Sequence, residues 1–146
     1  MWNEVRTDSD VQRLLNDLDW FHDSCIKELR YISGAYVNEE LSMYPVNDRR
    51  VLDVIVQRQS RDNTVVELEF SGLKYLKLFP VDESYTCEIT ESTMFIKDGC
   101  ICWADGDTFP EDGCGIRGGI AVCAASLRWR AVEDCLGNKE IYRKDE

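Results

Sequence analysis

Two hydrophobic periods run along this chain. Near the start, Val11, Leu14, Leu15 and Leu18 recur at i, i+3, i+4 and i+7, the spacing of one helix face. Ser9 with Gln12 fits a capping box, and Asp8 and Asp10 suit the positive end of a helix dipole, so a short helix is predicted over 10–19. Beyond it the period becomes two. Tyr31, Ile32, Tyr36 and Val37 favour a strand over 26–37, bent near Gly34, although Glu28, Leu29 and Arg30 would also suit a helix. Residues 38–50, with Pro45 and Asn47-Asp48, read as a polar loop. Leu52, Val54 and Val56 then alternate with Asp53, Gln57 and Arg58, and after a turn at 60–63 Val66, Leu68 and Phe70 alternate with Glu67 and Glu69. That is an antiparallel hairpin with one wet face.

A further short strand is predicted over 73–79. Asp98-Gly99 between β-rich arms is the strongest turn signal in the chain, and a two-residue type I′ turn there sets the register. Lys97 then faces Cys100, Ile96 faces Ile101, Phe95 faces Cys102 and Met94 faces Trp103. Met94, Ile96, Ile101 and Trp103 share one face, which is assigned to the core. Residues 105–119 hold five glycines and four acids and read as a surface loop. A last strand follows, with Ala125, Leu127, Trp129 and Ala131 inward and Ser126, Arg128 and Arg130 outward. The charged tail from Gly137 is expected to fray. Together these elements predict a single domain over 1–146 of α+β class: a mainly antiparallel β-sheet of about six or seven strands with one N-terminal helix. No alternating βαβ pattern is present, which speaks against a doubly wound nucleotide-binding sheet.

Charge narrows the partners. Lys and Arg total 17 against 28 Asp and Glu, a net charge of −11. Such a chain is repelled by nucleic acid and by anionic lipid, and a basic protein would be steered towards it. The N-terminus has neither a basic start nor an apolar run, and no stretch approaches the roughly eighteen apolar residues of a membrane span, so a cytoplasmic protein is expected. The seven cysteines are odd in number and irregularly spaced, without a Cys-x-x-Cys pair, and most are expected to be reduced.

Candidate chemistry is sparse. His22, Asp23, Ser24 and Cys25 contain every member of a catalytic triad, but neighbouring side chains in an extended segment point to opposite faces. Only a helical turn would let His22, the sole histidine, pair with Cys25 as thiolate and imidazolium, which is the basis of an alternative reading as a cysteine-dependent enzyme. The simpler reading makes the segment a capped turn at the helix-to-strand junction. Cys100 and Cys102 alternate onto one strand face and do not have zinc-site spacing. The acidic loop lacks the EF-hand spacing for calcium. No metal or other cofactor is implied. The same loop is the first choice for a contact surface, with Asp105, Asp107, Glu111 and Asp112 supplying charge and Trp103 and Phe109 supplying aromatic anchors.

The segment Trp20-Phe21-His22-Asp23-Ser24-Cys25-Ile26-Lys27-Glu28-Leu29 resembles a segment of small bacterial proteins, some of which are grouped as immunity proteins of polymorphic-toxin systems. The resemblance covers about ten residues and carries no catalytic residue. Together with the missing catalytic motifs and the charge of −11, the resemblance points to a non-enzymatic protein-binding module of immunity or antitoxin type, for which the charge suggests a basic partner; an orphan domain with a small-molecule or scaffolding role is the remaining alternative.

Overall fold

The computed structural model describes residues 1–110 and 118–143. In chain order the elements are β1 (Asn3–Val5), α1 (Asp8–Asp17), a 3-10 turn (Asp19–Phe21), β2 (Ser24–Ile32), β3 (Tyr36–Val37), β4 (Met43–Tyr44), β5 (Val51–Arg58), β6 (Val65–Phe79), β7 (Thr93–Lys97), β8 (Cys100–Ala104) and β9 (Gly119–Ala131). The α+β class with a mainly antiparallel sheet is therefore observed.

The predicted helix face is buried in full: Val11, Leu14, Leu15 and Leu18 are all part of the core. The helix starts earlier than predicted because Thr7, not Ser9, is the cap. Thr7 Oγ1 accepts from Asp10 N, and the Asp10 carboxylate accepts from the backbone of Arg6 and Thr7. That is a capping box with aspartate in the third position, which shifts the helix N-terminus to Asp8.

The main sheet runs β2-β5-β6-β9-β8-β7, antiparallel throughout. β9 shares its second edge between two partners: β8 along Ala121–Ala124 and β1 along Leu127–Trp129. The predicted strand over 73–79 is not separate. It continues β6, which kinks at Gly72 (φ +65°) so that Phe70 and Leu73 both reach the core. A Cβ at Gly72 would meet the Ala125 Cβ at 2.8 Å, so this close passage needs glycine. A matching shift in β9 takes Ala125 out of the core face to which alternation assigned it and brings Ala124, Val122 and Ile120 in, while Ala131 stays in phase with Leu127 and Trp129 and is exposed at the strand end. The bulge of β2 lies between Ile26 and Glu28 rather than at Gly34. The strand predicted over 26–37 ends at Ile32, and its last two residues form β3, which pairs with β4 inside the loop predicted over 38–50 as a separate two-stranded hairpin.

The register predicted from Asp98-Gly99 is observed pair for pair, from Lys97↔Cys100 to Met94↔Trp103. Both turn residues have positive φ, 52° and 74°, as a type I′ turn requires.

One face of the sheet packs on α1. Leu52, Val54, Val56, Val66, Leu68, Phe70, Leu127 and Trp129 meet the helix stripe and Phe21 in one core. Phe21 enters it from an unusual corner. Asp19, Trp20 and Phe21 all have left-handed backbone (φ 49°, 55° and 61°), and Asp23 does so as well (φ 56°). Each such residue costs about 1–2 kcal/mol. Burial of Phe21, 5.3 Å from the Trp103 ring, offsets that strain. The corner is further tied to residues 89–92: Asp23 N donates to Ile89 O (3.0 Å), Ile89 N to Ser24 O (2.7 Å) and Ser92 Oγ to Trp20 O (3.2 Å). Phe21→Ala should therefore lose about 3–5 kcal/mol in urea unfolding, whereas Trp20→Ala, next along the corner and partly exposed, should lose about 1 kcal/mol or less. Equal losses in the two variants would show that Phe21 does not anchor the corner.

Candidate functional site

Three of the four residues that invited a catalytic reading are spent on the corner. His22 Nδ1 lies 2.7 Å from Thr90 O and donates to it, while Nε2 lies 3.4 Å from an Asp23 carboxylate oxygen. The Ser24 hydroxyl is buried and donates to Phe21 O. Cys25 sits on β2 opposite Gln57. Burial raises its thiol pKa, and a second thiol, Cys87, raises it further against a smaller lowering by Lys27. A thiol held protonated at neutral pH is a poor nucleophile, so this geometry lends the enzyme reading no support.

The expectation that most cysteines are reduced holds among the described residues, with one pair excepted. Cys102 and Cys123 are direct cross-strand partners on β8 and β9, with Cα atoms 4.3 Å apart, and they form a disulfide. Cys25, Cys87, Cys100 and Cys135 are free. Among the described residues, no group of His, Cys, Asp or Glu could hold a metal ion. No helix among them is long and apolar enough to cross a membrane.

Of the residues expected to make contacts, those described turn largely inward. Trp103 is fully buried, between Phe21 and Phe70, and is a core residue rather than a surface anchor. Phe109 folds back onto Ala104 and Ala121 and meets the rings of Phe95 (5.2 Å) and Tyr75 (6.5 Å). The Asp105 carboxylate accepts from Ile120 N at 3.1 Å, and burial raises its pKa. Both are committed to holding the loop against β9. Asp107 is exposed. Glu111 and Asp112 lie outside the described residues.

The opposite face of the sheet, predicted to be wet, carries an organised charge lattice. Pairing aligns Arg30, Asp53, Glu69 and Arg128 in one row across β2, β5, β6 and β9, and Glu28, Ile55, Glu67 and Arg130 in the next. Arg30 bonds Asp53 at 2.8 Å, Arg128 bonds Glu69 at 2.7 Å and Arg130 bonds Glu67 at 2.9 Å. Trp2 lies over both Arg128 and Arg130, its ring centroid 4.2 Å from each guanidinium carbon. Asp53 is 2% exposed, not solvated as its alternation implied, and its Oδ1 has no donor. Burial raises its pKa above the ordinary carboxylate value, Glu69 alongside raises it further, and Arg30 opposes both. A proton on this pair relieves the repulsion between the two carboxylates.

Among its described residues, up to 143, the tail is tied down rather than frayed. Gln57 Nε2 donates to Cys135 O (2.8 Å) and Gly137 O (3.0 Å), and Lys27 Nζ to Asn138 O (3.3 Å). The Glu28 carboxylate accepts from Ile141 N (2.6 Å) and Tyr142 N (3.0 Å). The Tyr142 hydroxyl donates to Glu67 at 2.6 Å, and its ring lies 4.6 Å below Arg30. Burial and the Glu67 carboxylate both raise the phenol pKa, so Tyr142 remains a donor.

The surface that alternation missed is the β3–β4 hairpin. Tyr36 and Tyr44 face each other and stack at 4.9 Å. Tyr36 (57%), Leu41 (83%), Met43 (68%) and Val46 (60%) are exposed, together with Val37 and Tyr44. The projection is held at both ends. Asn38 Oδ1 accepts from Glu40 N and Ser42 N at the tip, and Ser33 O accepts from Arg49 N and Arg50 N at the base. Its short span and the polar residues Asn38, Glu39, Glu40 and Ser42 hid it: two-residue strands carry no readable period.

No protein-family model, no curated protein and no solved structure matches the chain. The site must therefore be read from its own geometry.

Two titrations test the electrostatics. The Thr90 carbonyl, and then Asp23, raise the His22 pKa above 6.5. As the only histidine, His22 should titrate above that value by proton NMR, and Asp23→Asn should lower it while leaving it above 6.5. Asp53 has the opposite linkage from an ordinary ion-paired carboxylate. With its folded pKa raised, the folded state binds the extra proton, so this group's contribution to stability is present below its unfolded value near 3.8 and is lost as pH rises through the folded value. The stability of Asp53→Asn relative to the unsubstituted chain should therefore increase from pH 3.5 to 7 in urea unfolding. A decrease over that range would assign Asp53 to a stabilising ion pair with Arg30 instead.

Proposed function

We propose that this protein is a non-enzymatic binding module for a basic protein, in the manner of an immunity or antitoxin protein, and that the β3–β4 hairpin is its principal contact. The observation that carries this reading is the hairpin itself: six apolar side chains, two of them stacked tyrosines, held exposed on a backbone-tied projection. Exposed apolar groups clustered in this way are a cost unless a partner covers them, and aromatic residues are the usual anchors of such interfaces. Tyrosine adds a hydroxyl that can bond at the rim of the buried patch.

Charge selects the partner. Glu39 and Glu40 stand at the hairpin tip, Asp48 follows near its base, and the chain carries −11 overall. A basic surface would be steered onto this projection, and the tyrosines, Leu41 and Met43 would fill its apolar centre. The expected consequence is occlusion of the partner's working surface without chemistry on it. Asp107 belongs to the same acidic field, as a long-range contributor rather than an anchor.

The experiment compares two baits in a lysate of the source organism: the unsubstituted chain and a variant carrying Tyr36→Ser, Leu41→Ser and Met43→Ser, three changes at exposed positions. The expected result is a basic protein retained by the first, released by a salt gradient, and lost from the second. Mass spectrometry then names it. Retention of the same protein by both baits would remove the hairpin from the interface, and the absence of any basic protein would remove the reading itself.

A further inference from the structure

The tail over the sheet is bound as a ligand would be. Gln57 and Lys27 donate to main-chain carbonyls of residues 135, 137 and 138, and Glu28 accepts two successive main-chain N–H groups, at 141 and 142. These are bonds to backbone, so they do not depend on which side chains the segment carries. The one tail side chain these bonds use is Tyr142, whose hydroxyl reaches Glu67 and whose ring lies under Arg30. The recognising groups stand on β2, β5 and β6, in register, on the face away from α1. No buried apolar side chain of the tail locks it in place: Leu136 is exposed and Ile141 only half-buried.

We propose that this face is a peptide-binding site, filled in the resting protein by the chain's own residues 135–142, and that an extended segment of a partner protein bearing a tyrosine exchanges with it. The site would read a stretch of main chain through Gln57, Lys27 and Glu28, and one phenol through Glu67 and Arg30. The tail then acts as a tethered competitor, which lowers the apparent affinity for any peptide in trans. This inference stands apart from the hairpin reading, since it uses none of residues 36–46.

The test uses the full chain and a fluorescent peptide of residues 134–143 with Cys135→Ser, followed by fluorescence polarisation. In the chain, Tyr142→Phe removes the hydrogen bond to Glu67 and loosens the tethered competitor while leaving the receiving groups intact. It should bind the tyrosine-containing peptide about tenfold more tightly than the unsubstituted chain, the size expected for one bond to a charged acceptor. The same peptide with phenylalanine in place of its tyrosine should bind the Tyr142→Phe chain about tenfold more weakly, because this change weakens the peptide and leaves the tethered tail as it was. Equal affinity of the Tyr142→Phe and unsubstituted chains for the tyrosine peptide, or equal affinity of the two peptides for the Tyr142→Phe chain, would overturn the proposal.

Discussion

The pairing of β6 with β9 is the constraint on which the other features rest. It runs from Val66↔Ala131 to Phe79↔Gly119. Because successive side chains of a strand alternate faces, this one register decides two surfaces at once. It places Val66, Leu68, Phe70, Leu127 and Trp129 against α1, and it places Glu67 and Glu69 opposite Arg130 and Arg128. A slip by one residue would drive the charges into the core. The kink at Gly72 then lets the same two strands continue past a change of parity, so that Leu73, Ala124, Val122 and Ile120 extend the core beneath Trp103.

The corner at 19–23 shows how a conspicuous motif can serve structure rather than chemistry. Its residue types suggest a triad, but left-handed backbone, the buried Phe21 and bonds to residues 89–92 absorb nearly every polar group it offers. The polar face tells the converse story. Nothing in the isolated residues Glu28, Arg30, Asp53, Glu67 or Tyr142 marks them, yet they converge into rows that hold the C-terminal segment. Two surfaces stand out: the apolar hairpin, which is exposed, and the polar face of β2, β5 and β6, which the C-terminal segment covers. Their placement in different parts of the molecule means that engaging one need not disturb the other.

What was legible in the chain was whatever short-range physics controls. The helix stripe from Val11 to Leu18, the hairpin through 60–63 and the register around Asp98-Gly99 each follow from side-chain periodicity or from backbone angles that only a few residue types tolerate. The helix cap moved by two residues because Thr7 and Ser9 can both cap, and the reach of Asp10 to Arg6 and Thr7 decided between them. The site was less legible. Trp103 belonged at once to a core face and to an aromatic surface patch in the sequence, and only its position between Phe21 and Phe70 resolves that.

The sequence by itself determined the class of the fold, the inward face of most strands and the net charge of −11, because composition and period-two or period-3.6 alternation are local properties. Only the tertiary structure decided that Asp53 is buried, that Cys102 meets Cys123, that the tail is tied to Glu28 and Glu67, and that the stretch around Tyr36 and Tyr44 projects as an apolar hairpin. Those features depend on which strands become neighbours. That choice joins residues as far apart as Glu28 and Tyr142, a separation over which no local pattern carries information.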